Sequence, residues 1–358
     1  MRYDPSVFIG DREISLDKPT YFIADLASSH DGDLERAKAL IWQAKEAGAD
    51  CAKFQHFLAK DIVSDAGFKA LGGQIAHQSS WKKSVYEVFE TYQTPRDWTE
   101  TLVEECRKAN IVYMTTPYDF AAADQMEAHV PAYKIGSGDI GWTQFIEYVA
   151  QKAKPVLIST GAASMEDVER AMSVALKHNR QILLMQCNTN YTGSIDNFSY
   201  MNLKVLQAYA LKWPGLCLGL SDHSPGHAAV LGAIAFGARA VEKHFTDDNS
   251  RDGPDHPFSM NPTTWRDMVD RARELETALG DGVKRVEINE TDAHVVQRRA
   301  VRLARDLPAG HELSDDDLVM LRPLPRGALE PWEDYRARGR ALRRAMTAGE
   351  ALTPQDLD

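Results

Sequence analysis

Short apolar runs rich in β-branched and aromatic residues recur along this chain. Each is followed by a stretch whose apolar positions fall three and four residues apart. The runs occupy 21–26, 51–54, 111–114, 133–135, 156–158, 182–185, 217–220 and 240–241. Leu34, Ala37, Leu40, Ile41 and Ala44 trace the helical stripe between the first two. Strands alternating with helices eight times over roughly 250 residues predict an α/β fold, a (β/α)8 barrel. Ahead of it, residues 6–19 place Gly10-Asp11 between short apolar runs and read as a hairpin closing the bottom of the barrel.

The polar residues refine this picture. In such a barrel the working groups stand at the C-terminal ends of the strands, and polar side chains cluster at those ends here. They are Asp25, Lys53 and Gln55, Thr116, Lys134 with Ser137 and Asp139, Ser159 and Thr160, and Gln186. A packed core alone gives no reason for that placement. The last two strands end in Ser221-Asp222-His223 and Glu242-Lys243-His244-Phe245, separated by one helix-length segment, 225–236. A strand–helix–strand unit lays its strands parallel and adjacent, so the two imidazoles fall side by side at one end of the sheet. The period-two alternation of a strand points Glu242 and His244 to the same face. Two imidazoles among carboxylates and a lysine suggest a metal-assisted active site.

Composition sets bounds. The chain has 358 residues and a net charge of -11, with a pI near 5.5, which argues against a general nucleic-acid binder. No stretch has the length and apolarity of a membrane span, and the first residues lack the basic start and apolar core of a signal peptide. Cys51, Cys106, Cys187 and Cys217 are scattered, three of them in or beside predicted strands. That pattern fits buried thiols in a reducing cytoplasm, not a disulfide framework.

A second domain is expected over 283–358, leaving 1–282 to the barrel. The last barrel helix stops near Leu279-Gly280, a glycine C-cap. Beyond it, Ala309-Gly310-His311-Glu312-Leu313-Ser314 with Asp317-Leu318 is echoed by Ala348-Gly349-Glu350-Ala351-Leu352-Thr353 with Asp356-Leu357. A turn glycine, an apolar anchor and a Ser or Thr that caps one helical turn account for the repeat. The segment is too short to bury a large core, and its many arginines read mostly as a solvated face.

Taken together, these motifs make the chain resemble the sialic acid synthases, the phosphoenolpyruvate-dependent nonulosonic acid synthases. The resemblance runs through Ala24-Asp25-Leu26, His30-Asp31-Gly32, Lys53-Phe54-Gln55, Thr116-Pro117-Tyr118-Asp119, Tyr133-Lys134-Ile135-Gly136-Ser137-Gly138, Ser159-Thr160-Gly161, the two histidine motifs and Gly253-Pro254-Asp255-His256. The C-terminal repeat with Arg322-Pro323 is similar to the small antifreeze-like (SAF) domain of that family. The resemblance implies condensation of phosphoenolpyruvate with the open-chain aldehyde of a sugar, giving a 3-deoxy-2-ulosonic acid and phosphate. It implies Lys53, Thr116, Lys134, Ser137, Ser159 and Ser221 around the phosphoenolpyruvate, whose two anionic groups call for cations and hydroxyl donors. It further implies a manganese or magnesium ion on His223 and His244, polarising the aldehyde. Asp25, Lys134, Asp139 and Glu242 are the catalytic candidates. Gln55, Tyr191 and Asp255 are expected at the acceptor sugar. Arg322 is expected to cross to a partner subunit's barrel in a domain-swapped homodimer and meet the acceptor there.

The chain departs from the family pattern in places. Asp25 stands where the family has glutamate, Ala27 where it has glycine and Ser29 where it has asparagine. Asp139 replaces a second glutamate, shortening the reach by one methylene, enough to alter positioning. Cys187-Asn188-Thr189-Asn190-Tyr191-Thr192 and Ala162 also differ, and the stretch 72–92 matches no assignable pattern. The changes gather around the acceptor and the acid/base group. Three readings therefore stay open: a synthase acting on N-acetylmannosamine or a diacetamido-trideoxyhexose, a related condensing synthase with an unusual aldose, and a non-catalytic carbohydrate-binding relative.

Overall fold

The structure, a computed structural model, describes residues 2–72 and 74–358; Met1, and Gly73 of the unassigned stretch 72–92, lie outside the described residues. It divides into two compact units, Met1–Gly280 and Asp281–Asp358.

The first unit opens with a hairpin of β1 (Val7–Ile9) and β2 (Arg12–Ile14), paired Val7 to Ile14 across Gly10, whose φ is 60°. Eight parallel strands then close a barrel: β3 (Tyr21–Asp25), β4 (Cys51–His56), β5 (Val112–Pro117), β6 (Tyr133–Ile135), β7 (Val156–Ser159), β8 (Ile182–Cys187), β9 (Cys217–Asp222) and β10 (Ala238–His244). β10 returns to β3 with Glu242 beside Ile23 and His244 beside Asp25. Six of the eight strands run one to three residues further at their C-terminal ends than the apolar runs suggest. Polar residues there, such as Gln55, Thr116, Ser159 and Glu242, are strand residues that line the barrel mouth, so hydrophobicity alone cuts those strands short.

Alternation along each strand sorts the side chains into two layers. Tyr21, Ile23, Cys51, Met114, Ala132, Leu157, Leu183, Met185, Cys217 and Ala240 fill the lower barrel, and Val7, Ile9 and Ile14 of the hairpin pack onto them as a plug. Cys217 Sγ donates to the carbonyls of Pro5 and Ile14, each at 3.3 Å. The outward set, with Phe22, Phe54, Ile135, Ile158, Leu184, Leu218 and Val241, meets the apolar stripes of the surrounding helices. At Gly219 a Cβ would stand 2.7 Å from the Ala240 carbonyl oxygen and 2.9 Å from Leu183. A packed interior at that point tolerates only glycine.

In the second unit β11 (Ala300–Leu303) pairs antiparallel with β12 (Leu318–Leu321), over a core of Val301, Leu303, Leu313, Leu342, Leu352 and Leu357. The sequence repeat is a structural repeat. Ser314 and Thr353 cap the single turns Asp315–Asp317 and Pro354–Asp356 through reciprocal capping boxes. Arg305 to Asp317 and Arg344 to Asp356 form the same ion pair at the same spacing of 12 residues. Arg322 follows β12 and is exposed.

Candidate active site

The C-terminal mouth of the barrel holds a cavity of about 250 Å³. Asp25, Lys53, Gln55, Thr116, Lys134, Ser137, Ser159, Tyr191, Ser221, His223, Glu242, His244 and Asp255 all line it. They converge because each occupies an inward position at a strand end or in the loop just after it. Of the other residues named from the sequence, Asp139, Thr160 and Gln186 do not line the cavity, and Arg322 belongs to the C-terminal unit.

Two fully buried lysines organise the floor. Lys53 Nζ donates to Asp25 Oδ2 at 2.7 Å and to Thr116 Oγ1 at 3.1 Å, and lies 3.9 Å from Glu242 Oε1. Gln55 Nε2 donates to the same Asp25 oxygen at 3.0 Å. Lys134 Nζ donates to Glu242 Oε1 at 2.7 Å, and Ser221 Oγ to that oxygen at 3.3 Å. Burial alone would raise the Glu242 carboxyl, but the facing Lys134 and Lys53 ammonium groups outweigh it and hold the carboxyl below its ordinary range. Burial likewise opposes the charge on Lys53, and Asp25 and Glu242 reverse that into a raised pKa. Glu242 is therefore a carboxylate and Lys53 an ammonium across the working pH range. Glu242 Oε2 and Ser159 Oγ are buried without a hydrogen-bond partner, an arrangement expected of groups that await a ligand.

The histidines adjoin this network through Asp25, their rings 5.3 Å apart. His223 Nδ1 donates to the Asn188 carbonyl at 3.0 Å, which leaves the lone pair on Nε2. His244 lies 3.7 Å from Asp25 Oδ2 through Nε2 and 3.6 Å from Asp255 Oδ2 through Nδ1, and that Nδ1 is buried with no hydrogen bond. Asp255 accepts from the Ser28 backbone N–H at 3.0 Å. Burial would raise its carboxyl, but the charge of His244 and the Ser28 hydrogen bonds bring it down to about 2. Two imidazoles with free ring nitrogens, surrounded by Asp25, Glu242 and Asp255, fit a divalent cation. Among the described residues no three such side chains already form a closed metal cage, so water and substrate oxygens would complete the shell.

Tyr191 closes the histidine side, its ring 4.2 Å from His223 and 5.5 Å from Phe258, which itself lies 4.9 Å from His244. At Gly161 a Cβ would come within 1.8 Å of Thr189 Oγ1 and 2.9 Å of Ser137 Oγ, while the Gly161 N–H donates to Ser137 Oγ at 3.0 Å. The glycine thus keeps open the space beside two hydroxyls. Cys187 lies 3.9 Å from His223 Nδ1; burial pushes its thiol up, and the adjacent imidazole brings it down to about 7. Asp139 sits at the end of the turn Ser137–Asp139, where burial raises its carboxyl to about 6 and leaves Oδ2 without a partner.

Sequence reasoning missed Ser28, Tyr118, Thr189 and Phe258, and the lining residues Phe57, Ile62, Trp81, Val88, Phe89 and Tyr92. Ser28 and Thr189 carried a usable signal, since each lies within a few residues of a strand end. The apolar ones carried none, because a cavity wall and a core face have the same composition.

Residues 40–284 match the NeuB family and residues 298–358 the SAF domain. The chain is 33% identical over 339 residues to an N,N'-diacetyllegionaminic acid synthase of Legionella pneumophila, covering 93% of each chain. It is 30% identical over 344 residues to a pseudaminic acid synthase of Campylobacter jejuni, covering 95% of this chain and 97% of that one. Among solved structures, an N-acetylneuraminic acid (sialic acid) synthetase from Leptospira borgpetersenii in complex with citrate superposes with a TM-score of 0.71 at 26% identity. The match covers 82% of this chain and 96% of that one.

Proposed function

The chain belongs to the NeuB family, and on that footing we propose that it condenses phosphoenolpyruvate with the open-chain aldehyde of an amino sugar, forming a nonulosonic acid and phosphate. The observation that carries the reading is the pairing of two buried lysines, held by Asp25 and Glu242, with two imidazoles in one cavity. A binding module has no use for that costly arrangement of buried charge. The relatives' named activities, synthesis of legionaminic, pseudaminic and sialic acids, agree with it.

In this reading Lys53 and Lys134 bind the phosphate and carboxylate of phosphoenolpyruvate, with Thr116, Ser137, Ser159 and Ser221 donating hydroxyl hydrogen bonds. Lys53 is already ionised against Asp25 and Glu242, so it binds the incoming trianion without a proton change. His223 and His244 would hold a divalent cation, which would supply Lewis-acid polarisation of the aldehyde oxygen. Asp255 and Tyr191 orient the acceptor so that its carbonyl carbon faces carbon 3 of phosphoenolpyruvate. The new bond forms between those carbons, the aldehyde π pair passes to its oxygen, and carbon 2 becomes cationic in character. Water then adds to carbon 2, with Glu242 Oε2 accepting its hydrogen bond; one of its protons goes to the former aldehyde oxygen, which becomes the product hydroxyl. The carbon–oxygen bond to phosphate then breaks, so carbon 2 becomes a ketone and phosphate leaves with its bridging oxygen and the second proton. Asp139 is assigned no substrate contact.

The test is phosphate release from phosphoenolpyruvate with manganese across a panel of aldehyde sugars, with products weighed by mass spectrometry. A sugar-dependent rate and a product heavier than the acceptor by one pyruvate unit are expected. No release from any sugar, together with no phosphoenolpyruvate binding by calorimetry, would overturn the reading.

A further inference from the structure

Glu242-Lys243-His244 sets a further buried lysine between two residues of the site, yet Lys243 does not line the cavity. Strand alternation turns it to the opposite face of β10, where its side chain is only 1% exposed. There it meets Asp222, its neighbour in the β9–β10 ladder, whose side chain is fully buried. One ion pair therefore supplies the residue before each candidate metal ligand: Asp222 precedes His223, and Lys243 precedes His244.

The pair does more than join two strands. Lys243 Nζ donates to Asp222 Oδ2 and, at 2.6 Å, to the Ser224 carbonyl. Asp222 Oδ1 accepts from the Ser224 N–H at 2.9 Å, an Asx turn. A single side chain of β10 thus holds the residues on both sides of His223. That histidine needs the hold, because the β9–β10 ladder ends at Asp222 and Lys243 and His223 is the first residue past β9. Its ring is tied on the other side, to the Asn188 carbonyl. His244 is fixed by the sheet itself: it pairs with Asp25 in the ladder, and its carbonyl accepts from the Met260 N–H at 2.9 Å.

Stability gives no reason for the two charges, since replacing a buried ion pair by an apolar pair of like volume is often neutral or stabilising. We propose that Lys243 is a positioning residue for the divalent cation: by gripping Asp222 and Ser224 it sets His223 at the spacing from His244, 5.3 Å between rings, that lets both imidazoles bind one ion. The inference rests on the metal assignment made above. Groups that orient metal ligands from behind are worth about 10–100-fold in metal affinity. Charge alone predicts the opposite sign, because removing an ammonium from behind the site while leaving Asp222 would strengthen cation binding.

Manganese binding to the metal-free, full-length protein is measured by calorimetry and by the paramagnetic resonance of the free ion, with thermal melts alongside. Lys243→Met should weaken manganese binding roughly 10–100-fold and change phosphoenolpyruvate binding less. Asp222→Leu combined with Lys243→Met removes both buried charges; it should melt near the wild type and still bind manganese weakly. Unchanged or tighter manganese binding in Lys243→Met, an equal loss of phosphoenolpyruvate binding, or wild-type manganese affinity in the double variant would overturn the positioning role. Where Lys243→Met fails to fold, the double variant decides. A wild type that binds no manganese, or His223→Ala that binds it as tightly as the wild type, would overturn the metal assignment and this proposal with it.

Discussion

Each charged residue at the floor of the cavity is buried against its opposite, which makes single substitutions there costly in two ways. Lys134→Met removes the cation that Glu242 Oε1 faces at 2.7 Å and leaves a carboxylate buried with less compensation. The expected cost is about 3–5 kcal/mol of stability, read as a lower midpoint in urea, together with loss of phosphoenolpyruvate binding by calorimetry. Adding Glu242→Gln should recover most of the stability and none of the activity; a double variant as unstable as the single one would show that Glu242 is not the group left exposed. Asp139 gives a test in pH. Its folded-state carboxyl, raised to about 6 from 3.8 by burial, favours the protonated form, so its contribution is fully present below pH 3.8 and fades as the pH climbs through 6. Asp139→Asn should therefore stabilise the protein by about 1–3 kcal/mol at pH 8 and hardly at all at pH 4. A melting-temperature difference that stays flat between those pH values would contradict the assignment.

At the scale of elements, the site depends on how tightly neighbouring strands and turns approach. Gly219→Ala would push a methyl against the Ala240 carbonyl and Leu183 inside the barrel, with an expected loss of about 1–3 kcal/mol. The helix Val85–Tyr92 offers a subtler test. Ser84→Ala deletes a capping box worth about 1 kcal/mol, and because that helix carries Val88, Phe89 and Tyr92 of the cavity lining, acceptor KM should rise more than phosphoenolpyruvate KM. A change in thermal stability alone would detach the helix from acceptor binding. Strand existence was readable from short apolar runs, including the shortest, at 240–241. Strand ends were not, since β10 carries on through Glu242, Lys243 and His244. Lys243 faces away from the cavity, buried against Asp222 and the Ser224 carbonyl, where it fastens β10 to β9. Nothing in the local sequence separates it from Lys53 and Lys134 except strand parity.

For the whole molecule, the two compact units meet in sequence at Gly280 and Asp281. The residues that follow, including Lys284 and Arg285, are largely exposed, and exposed polar segments are preferred sites of proteolytic nicking. Brief trypsin treatment should cut first at Lys284 or Arg285, leaving a barrel fragment and a C-terminal fragment that mass spectrometry can weigh. First cuts within barrel loops would contradict this. The four cysteines are free and buried, and among the described residues no helix is long and apolar enough to cross a membrane.

The sequence by itself determined the barrel, its order of strands, the C-terminal repeat and the charged and candidate metal-ligating residues that line the cavity. Those features follow from periodicity, and a parallel barrel has one interior and one catalytic end, so an inward polar residue at a strand's end has a fixed place. Family membership was legible for the same reason, since the motifs sit at those ends. Only the tertiary structure decided which carboxylate faces which lysine, that Asp139 stands outside the cavity lining, and that Phe57, Ile62, Trp81, Val88, Phe89 and Tyr92 join that lining. Those facts depend on contacts between residues far apart in the chain, and an aromatic side chain bears the same local signature whether it fills a core or faces a substrate.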